Sequence, residues 1–528
     1  MTSDGYARES AAEVDVLRPP SGPRPPTDSE LTSYIRGNAA VIINTSVASS
    51  LCLTVSQLRF VAVSWMLWFL APYTAFTIAY FLISVYVNAG TRDYDLRGHR
   101  QLEQSYRPSV FPALDVFLPI CNEPLDVLHN TWHHVAELAR AYQGVVTVHV
   151  LDDGANPDCG KMAADLGFEY HVRPNRGWFK KAGNLHYGFA NSTGEFILIL
   201  DADFAPRADL PLHILPYFEA DPTLGIVQSP QFFRTLSRHS WMERGAGAVQ
   251  ELFYRLIQVS RNRHNAAICV GSCAIYRRAA LDANGGTTLI EHSEDVHTGF
   301  DLRRKGWGLH YLPMPLATGL CPSDPDSFVA QQYRWCAGSM SLLGSRKFWQ
   351  TKLPLRTRCC YISGFCYYVH TAIFTFVAPV IPLILLLALP ANVRLINYAF
   401  VFPSVLYSTV VFPMWHRCRF GPEALMTKLL YGWAHVMALW DITRRKRMGW
   451  QPTGSVKKKS KTRRVWVGIA VWNGGTGLLW VAVAGWRMLT MDATTFFPMF
   501  ALGAFALTIT AMALASPRNH LRALARNT

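Results

Sequence analysis

The sequence predicts an α/β domain, built on a doubly wound parallel sheet and inserted between two sets of membrane-spanning α-helices. Three observations predict it. Long apolar runs occur only toward the two ends of the 528-residue chain, and the stretch between them alternates short apolar runs with amphipathic ones. Charged residues make up only 16% of the chain while hydrophobic ones make up 50%, against roughly 25% charged in soluble domains.

A spanning helix needs about 20 largely apolar residues. Phe60–Ala89 meets this, and Asn38–Val55 does so more weakly because it carries several Ser and Thr. Apolar runs return at Cys359–Leu389, Tyr398–Trp415, Val465–Trp486 and Phe496–Ala515, which gives about six spans. The chain then divides into a disordered tail over 1–34, the first spans over 35–90, a globular domain over 91–352, further spans over 353–516 and a short tail over 517–528. Met1–Glu30, rich in Pro, Ser and charge, does not have the form of a signal peptide.

The net charge of +15 is concentrated within 417–464, where Arg444-Arg445-Lys446-Arg447 and the Lys457–Arg464 run lie beside apolar segments. Such a run marks the cytoplasmic side of a membrane and its anionic headgroups. The 91–352 domain, flanked by Arg92, Arg97, Arg100, Arg346 and Lys347, is placed on the same side, at the plasma (inner) membrane of a multi-pass protein. No recognition fold accompanies the charge, so a nucleic-acid partner is not expected. The eleven cysteines form no CxxC pair, which points to neither a zinc site nor a disulfide framework.

Within the globular domain Val116–Ile120, Val146–Leu151, Phe196–Leu200 and Ile226–Gln228 read as buried strands, with helices such as Leu125–Ala141 between them. That alternation implies a parallel sheet with ligands bound beyond the carboxyl ends of its strands. Two acidic turns fall there: Asp152-Asp153-Gly154 and Asp201-Ala202-Asp203. Alternate carboxylates can share one hard divalent cation that also takes diphosphate oxygens. His292-Ser293-Glu294-Asp295 opens a helix, where Ser293 or Asp295 either caps it or Asp295 serves as a general base. Gln331-Gln332-Tyr333-Arg334-Trp335-Cys336-Ala337-Gly338 lies on a helix just before the second set of spans. There Arg334 and Trp335 meet either a diphosphate and a sugar ring or lipid headgroups.

The order of these four signals resembles the processive family 2 glycosyltransferases: cellulose, chitin and hyaluronan synthases. Asp115–Pro124 is similar to the first strand and nucleotide-binding turn of bacterial cellulose synthase, Lys181-Ala182-Gly183-Asn184 to its KAGN segment, and Gln228–Phe233 to its QTPxFF segment. Gly271-Ser272 stands at the end of an FFCGS-like motif whose aromatic part is replaced by Ile268-Cys269-Val270. The resemblance implies a GT-A type domain that uses a nucleotide sugar (UDP-glucose or UDP-N-acetylglucosamine) with Mg2+ or Mn2+. It implies that Asp201 and Asp203 hold the metal and that Asp152, Asp153, Asp201, Lys181, Glu294, Gln331, Arg334 and Trp335 bind substrate. Asp295 would be the catalytic base of an inverting transfer to a growing glycan chain, Trp335 would stack on the acceptor, and accessory export proteins are possible partners in the bilayer. The stretch Trp450–Lys457 falls where the family has its FxVTxKG gating loop but differs in sequence. A non-processive family 2 transferase acting on a membrane lipid is the alternative; a scaffold without activity would have no use for these carboxylates.

Overall fold

The computed structural model describes residues 22–445 and 462–527. Among these the strands are β1 (Leu114–Ile120), β2 (Val146–Asp152), β3 (Glu169–His171), β4 (Phe196–Ile199), β5 (Ala205–Pro206), β6 (Leu224–Gln228), β7 (Ala274–Arg277), β8 (Gly308–Tyr311) and β9 (Ala317–Thr318). Seven of them form one sheet in the order β3-β2-β1-β4-β7-β6-β8, and β5 pairs with β9. β1 is buried along its whole length, and its apolar run Val116–Ile120 is what helices on both faces require. The period of two sends Val116 and Leu118 into one hydrophobic core and Phe117 into the other. The Leu125–Ala141 helix covers the first face with Leu128, Trp132, Val135 and Leu138, an i, i+4, i+7, i+10 stripe, all fully buried.

The chain winds outward from β1 through β2 to β3 and then returns to β4 on the other side of β1. Because β2, β1 and β4 are parallel, Ile120, Asp152 and Ile199 finish at one edge, and the crevice opens where the winding reverses. The sheet is mixed, however, and not parallel throughout: β7 runs antiparallel to both β4 and β6. Its first residue, Ala274, pairs with Ile199 at the end of β4. The reversal thereby delivers Gly271-Ser272-Cys273 to the same edge as the acidic turns.

Residues 22–34, expected to be part of a disordered tail, are ordered against the globular domain. The Asp28–Ile35 helix is capped by a Thr27/Glu30 box, buries Leu31, Tyr34 and Ile35, and ties Glu30 to Arg234 at 2.7 Å. Burial opposes the charge on Glu30, but the Arg234 and Thr27 hydrogen bonds win and lower its pKa to about 2. Residues 1–21 lie outside the described residues.

Among the described residues five helices are long and apolar enough to cross a membrane: Asp28–Ala62, Leu67–Asn88, Leu355–Leu387, Arg463–Thr490 and Ala493–Ser516. The expected span at Tyr398–Trp415 is instead a broken series, with helix at Phe402–Leu406, a π-turn at Tyr407–Val411 and helix at Phe412–Trp415. It still returns the chain to the domain side. The Tyr398 hydroxyl donates to Thr495 O at 2.8 Å beside the far-end loop, and Ser404 bonds Ser49 midway at 2.8 Å. At the near end Arg255 donates to Trp415 O at 3.0 Å. The chain is a multi-pass membrane protein. Trp65 and Trp68 point outward, 79% and 66% exposed, which suits a lipid-facing anchor. The Pro422–Thr443 helix packs along the domain, sharing a core of Met242, Ala246, Phe328, Leu430 and Ala434, with Arg244 bonded to Glu423 at 2.7 Å. The 450–457 stretch lies outside the described residues.

Candidate active site

The DxD turn follows β4, and Lys181 comes to it from the Lys180–Ala190 helix. The Lys181 ammonium bonds Asp201, donates to Gly271 O at 2.9 Å, and lies 3.9 Å from Glu294. The Asp201 amide donates to Ser272 Oγ at 2.9 Å, so the β7 reversal also positions the turn. Glu294 and Asp295 open the Glu294–Arg304 helix. Gly271, at φ +72°, makes their approach possible, because a Cβ there would sit 2.9 Å from Asp295.

The helix Pro325–Leu343 completes the site. It is capped by Asp324, and its spacing puts Gln331, Arg334, Trp335 and Gly338 on one face (i, i+3, i+4, i+7). Gly338 touches Ser293, so that face looks onto the start of the Glu294–Arg304 helix. Arg334 feels the charges of Glu294 and Asp201, Trp335 is half-buried beside it, and Gln331 Oε1 is a buried acceptor without a hydrogen-bond partner among the described residues. The other face is anchored: Tyr333 is buried and donates to Asp441 at 3.1 Å.

Glu123, Asp201, Asp203, Glu294 and Asp295 thus share their surroundings with two cations, Lys181 and Arg334. The imbalance shows in their protonation. Burial, and then Asp201, raises Asp203 to about 7. Burial, and then Glu294, raises Asp295 to about 7. Burial likewise raises Glu294 and Glu123. It works against the charge of Lys181, but Asp201 and Glu294 outweigh it and hold the ammonium well above its ordinary value. Two carboxylates of a tight turn, one of them strained toward its neutral form by a second carboxylate, are a donor set suited to a hard divalent cation. Asp201 and Asp203 fit that group.

Asp152 and Asp153 are placed differently from each other. Asp152 is committed to its own turn, accepting from the Gly154 and Asn156 amides at 2.6 and 2.9 Å and from the Tyr170 hydroxyl at 2.7 Å. Those three bonds fix its carboxylate within the turn. Asp153 is gripped by Arg173 through two bonds of 2.5 and 2.6 Å, both side chains buried. Sequence reasoning missed Arg173, and nothing in the sequence around Val172-Arg173-Pro174 marks it. It also missed the part of Gln228 and Gln231: the first accepts from the Val270 amide at 3.1 Å and the second donates to Val270 O at 3.2 Å. The Gln228–Phe233 segment therefore supports the chain leading into Gly271. Strained backbone collects at this edge, with positive φ at Asn122, Ala155, Phe179, Lys180, Cys273 and Ser293, a pattern found at functional sites.

Parts of this chain are similar to known proteins. Residues 196–415 match the family model described as glycosyl transferase family group 2. The cellulose synthase catalytic subunit (UDP-forming) of Xanthomonas axonopodis pv. citri (strain 306) is 31% identical over 269 residues, 49% of this chain and 36% of that protein. The subunit of the same name from Pseudomonas fluorescens (strain SBW25) is 33% identical over 234 residues, 44% of this chain and 31% of its own. The chain spans about a third of the length of these two relatives. A mannosyltransferase from Pyrobaculum calidifontis, solved with GDP-Man and Mn2+, is 18% identical with a TM-score of 0.47, covering 70% of this chain and 97% of that one. Residues 196–415 thus carry the family 2 glycosyltransferase pattern, and over about half of its length this chain is similar to cellulose synthase catalytic subunits.

Proposed function

We propose that the protein is a processive, inverting β-glycosyltransferase that polymerises a β-glucan from a UDP-sugar. The observation that carries the reading is the convergence of Lys181, Asp201, Asp203, Glu294, Asp295 and the Gln331/Arg334/Trp335 face on one sheet edge, beside membrane helices. Asp295 accepts the proton of an acceptor hydroxyl as that oxygen attacks the anomeric carbon. The bond from that carbon to the diphosphate breaks on the opposite side, so an α-linked donor gives a β-linkage. Lys181 and Arg334 stabilise the departing UDP electrostatically. Asp201 and Asp203 would hold Mg2+ or Mn2+, which neutralises diphosphate charge when bound. Trp335 offers its flat face to the terminal sugar of the growing chain, and Gln331 accepts from a sugar hydroxyl.

Asp153, fixed by Arg173, borders the nucleotide. In this reading the domain faces the cytoplasm at the plasma (inner) membrane, where nucleotide sugars are supplied; residues 446–461 of the basic 417–464 segment lie outside the described residues. Export of the product through the protein's own spans belongs to the same proposal, and the packing of the Pro422–Thr443 helix along the domain supports it. The test is UDP release by purified protein with a panel of UDP-sugars and Mg2+ or Mn2+. Turnover of one donor, lost in Asp201→Asn, supports the reading; no turnover of any UDP-sugar refutes it.

A further inference from the structure

On the outer flank of the sheet, away from the DxD turn, β2 and β3 bring together a second group of ligating side chains. The register sets Glu169 opposite His149, and the period of two puts His171 on the same face as Glu169. His149 Nδ1 lies 3.1 Å from His171 Nε2 and 3.2 Å from Glu169 Oε2, and the latter two atoms are 3.5 Å apart. Ligand atoms held tetrahedrally at about 2.0–2.2 Å from one zinc-like ion stand roughly 3.3–3.6 Å from each other. The triangle already has nearly that size.

We infer that His149, His171 and Glu169 form a transition-metal site of the zinc class, separate from the cation of the transfer reaction. Its surroundings have the form of a metal site. The second nitrogen of His149, Nε2, is buried without a hydrogen-bond partner among the described residues and lies 3.5 Å from Asp115 Oδ1. Metal on Nδ1 fixes the proton on Nε2, directed at that carboxylate, the usual outer partner of a ligating histidine. Asp115 is itself held by the Gly194 amide at 2.6 Å and Arg278 at 2.9 Å. Entry is open, since the Glu169 side chain is 54% exposed while that of His149 is 3%. Imidazole ligands select Zn2+, Co2+ or Ni2+ over Mg2+, whereas an all-carboxylate turn does the reverse.

Two other groups are arranged less favourably. In His99/Glu103/His213 one carboxylate serves both rings, and hydrogen bonds to Asp209 and Glu103 overcome burial to push His213 up to about 9, leaving it protonated. His133, His134 and Glu137 sit along a single helix with Glu137 exposed. The β2–β3 site, by contrast, joins two strands, and His171 stands two residues before the Arg173 that grips Asp153. Metal there pins the edge strand that leads into this clamp.

The test uses the full chain, purified in detergent through a tag without histidines, stripped with chelator and titrated with Co2+ in excess Mg2+. The expected result is an intense visible band, characteristic of four-coordinate Co2+, that saturates at about one equivalent. Glu169→Gln and His171→Ala should each weaken it by about 100-fold, while UDP binding and a cooperative unfolding transition show that both variants fold. A His133→Ala/His134→Ala double variant should titrate as the parent does. Absence of the band, or an unchanged titration in Glu169→Gln and His171→Ala, overturns the assignment.

Discussion

Gly338 stands against Ser293 so closely that a Cβ on the glycine would lie 1.8 Å from the serine Oγ. This contact docks the helix carrying Gln331, Arg334 and Trp335 onto the start of the helix carrying Glu294 and Asp295. Gly338→Ala is expected to push the two apart, costing roughly 1–3 kcal/mol of stability and most of the transfer activity. Ser293 also holds φ +57°, so Ser293→Gly removes both the colliding oxygen and a strained conformation. Adding Ser293→Gly to Gly338→Ala should restore the thermal unfolding midpoint, and failure to do so would mean that the contact is not what limits the helix.

Asp295 is the group placed to take the acceptor's proton. Asp295→Asn should lower kcat by at least about 100-fold while leaving UDP binding, measured calorimetrically, nearly intact. Loss of UDP binding in that variant would show that Asp295 belongs to the nucleotide site instead.

The elevated carboxyls set the pH dependence. A base must be unprotonated, and Asp295 is raised to about 7, so kcat/KM should climb from pH 6 to pH 8 with a midpoint near 7. A profile flat from pH 5.5 to 8 would contradict the assignment.

Asp203 gives a stability counterpart. Its folded pKa, about 7, lies above the ordinary carboxyl value, so the folded state binds the extra proton and stability is lost as pH rises through 7. At pH 8, without divalent cation, Asp203→Asn removes that cost and should raise the free energy of unfolding by on the order of 1 kcal/mol or more. The same variant should lose the further stabilisation that Mn2+ gives the parent.

Arg173 and Asp153 form a buried two-bond pair. Arg173→Ala leaves a buried carboxylate alone and should cost roughly 3–5 kcal/mol. Arg173→Lys keeps the charge but not the fork geometry. It should therefore fold while binding UDP more weakly, and unchanged UDP affinity would detach this clamp from the nucleotide.

The sequence shows its buried strands clearly, because Val116–Ile120 of β1 and all of β4 are apolar, β2 alternates apolar residues with Thr147 and His149, and each ends near an acidic or turn residue. The DxD, Ser-Glu-Asp and QxxRW signals are local, and the fold brings them to one edge. Long-range relations leave no such trace. The antiparallel entry of β7 follows from pairing between residues about 75 apart, and the Arg173 clamp depends on where a three-residue edge strand lies. The Thr27-x-x-Glu30 box did carry a local signal for the Asp28–Ile35 helix, but the Pro-rich stretch before it masks the signal. Cysteine spacing is silent about a histidine and glutamate group formed across two strands. The interruption of 398–415 reflects Pro403, the π-turn and Pro413, which shorten regular helix without lowering hydropathy.

The central claim is that one sheet edge polymerises sugar against the membrane, and product size tests it most directly. The purified protein in lipid nanodiscs, with Mg2+ or Mn2+, is given radiolabelled UDP-glucose or UDP-N-acetylglucosamine, and the product is sized and digested with linkage-specific hydrolases. The account predicts a high-molecular-weight product from one donor, degraded by a β-glucan hydrolase and absent in Asp295→Asn, with yield reduced more than about tenfold in Trp335→Ala. Label confined to a small lipid-extractable product would contradict it and make Trp335 a contact for a lipid-linked acceptor.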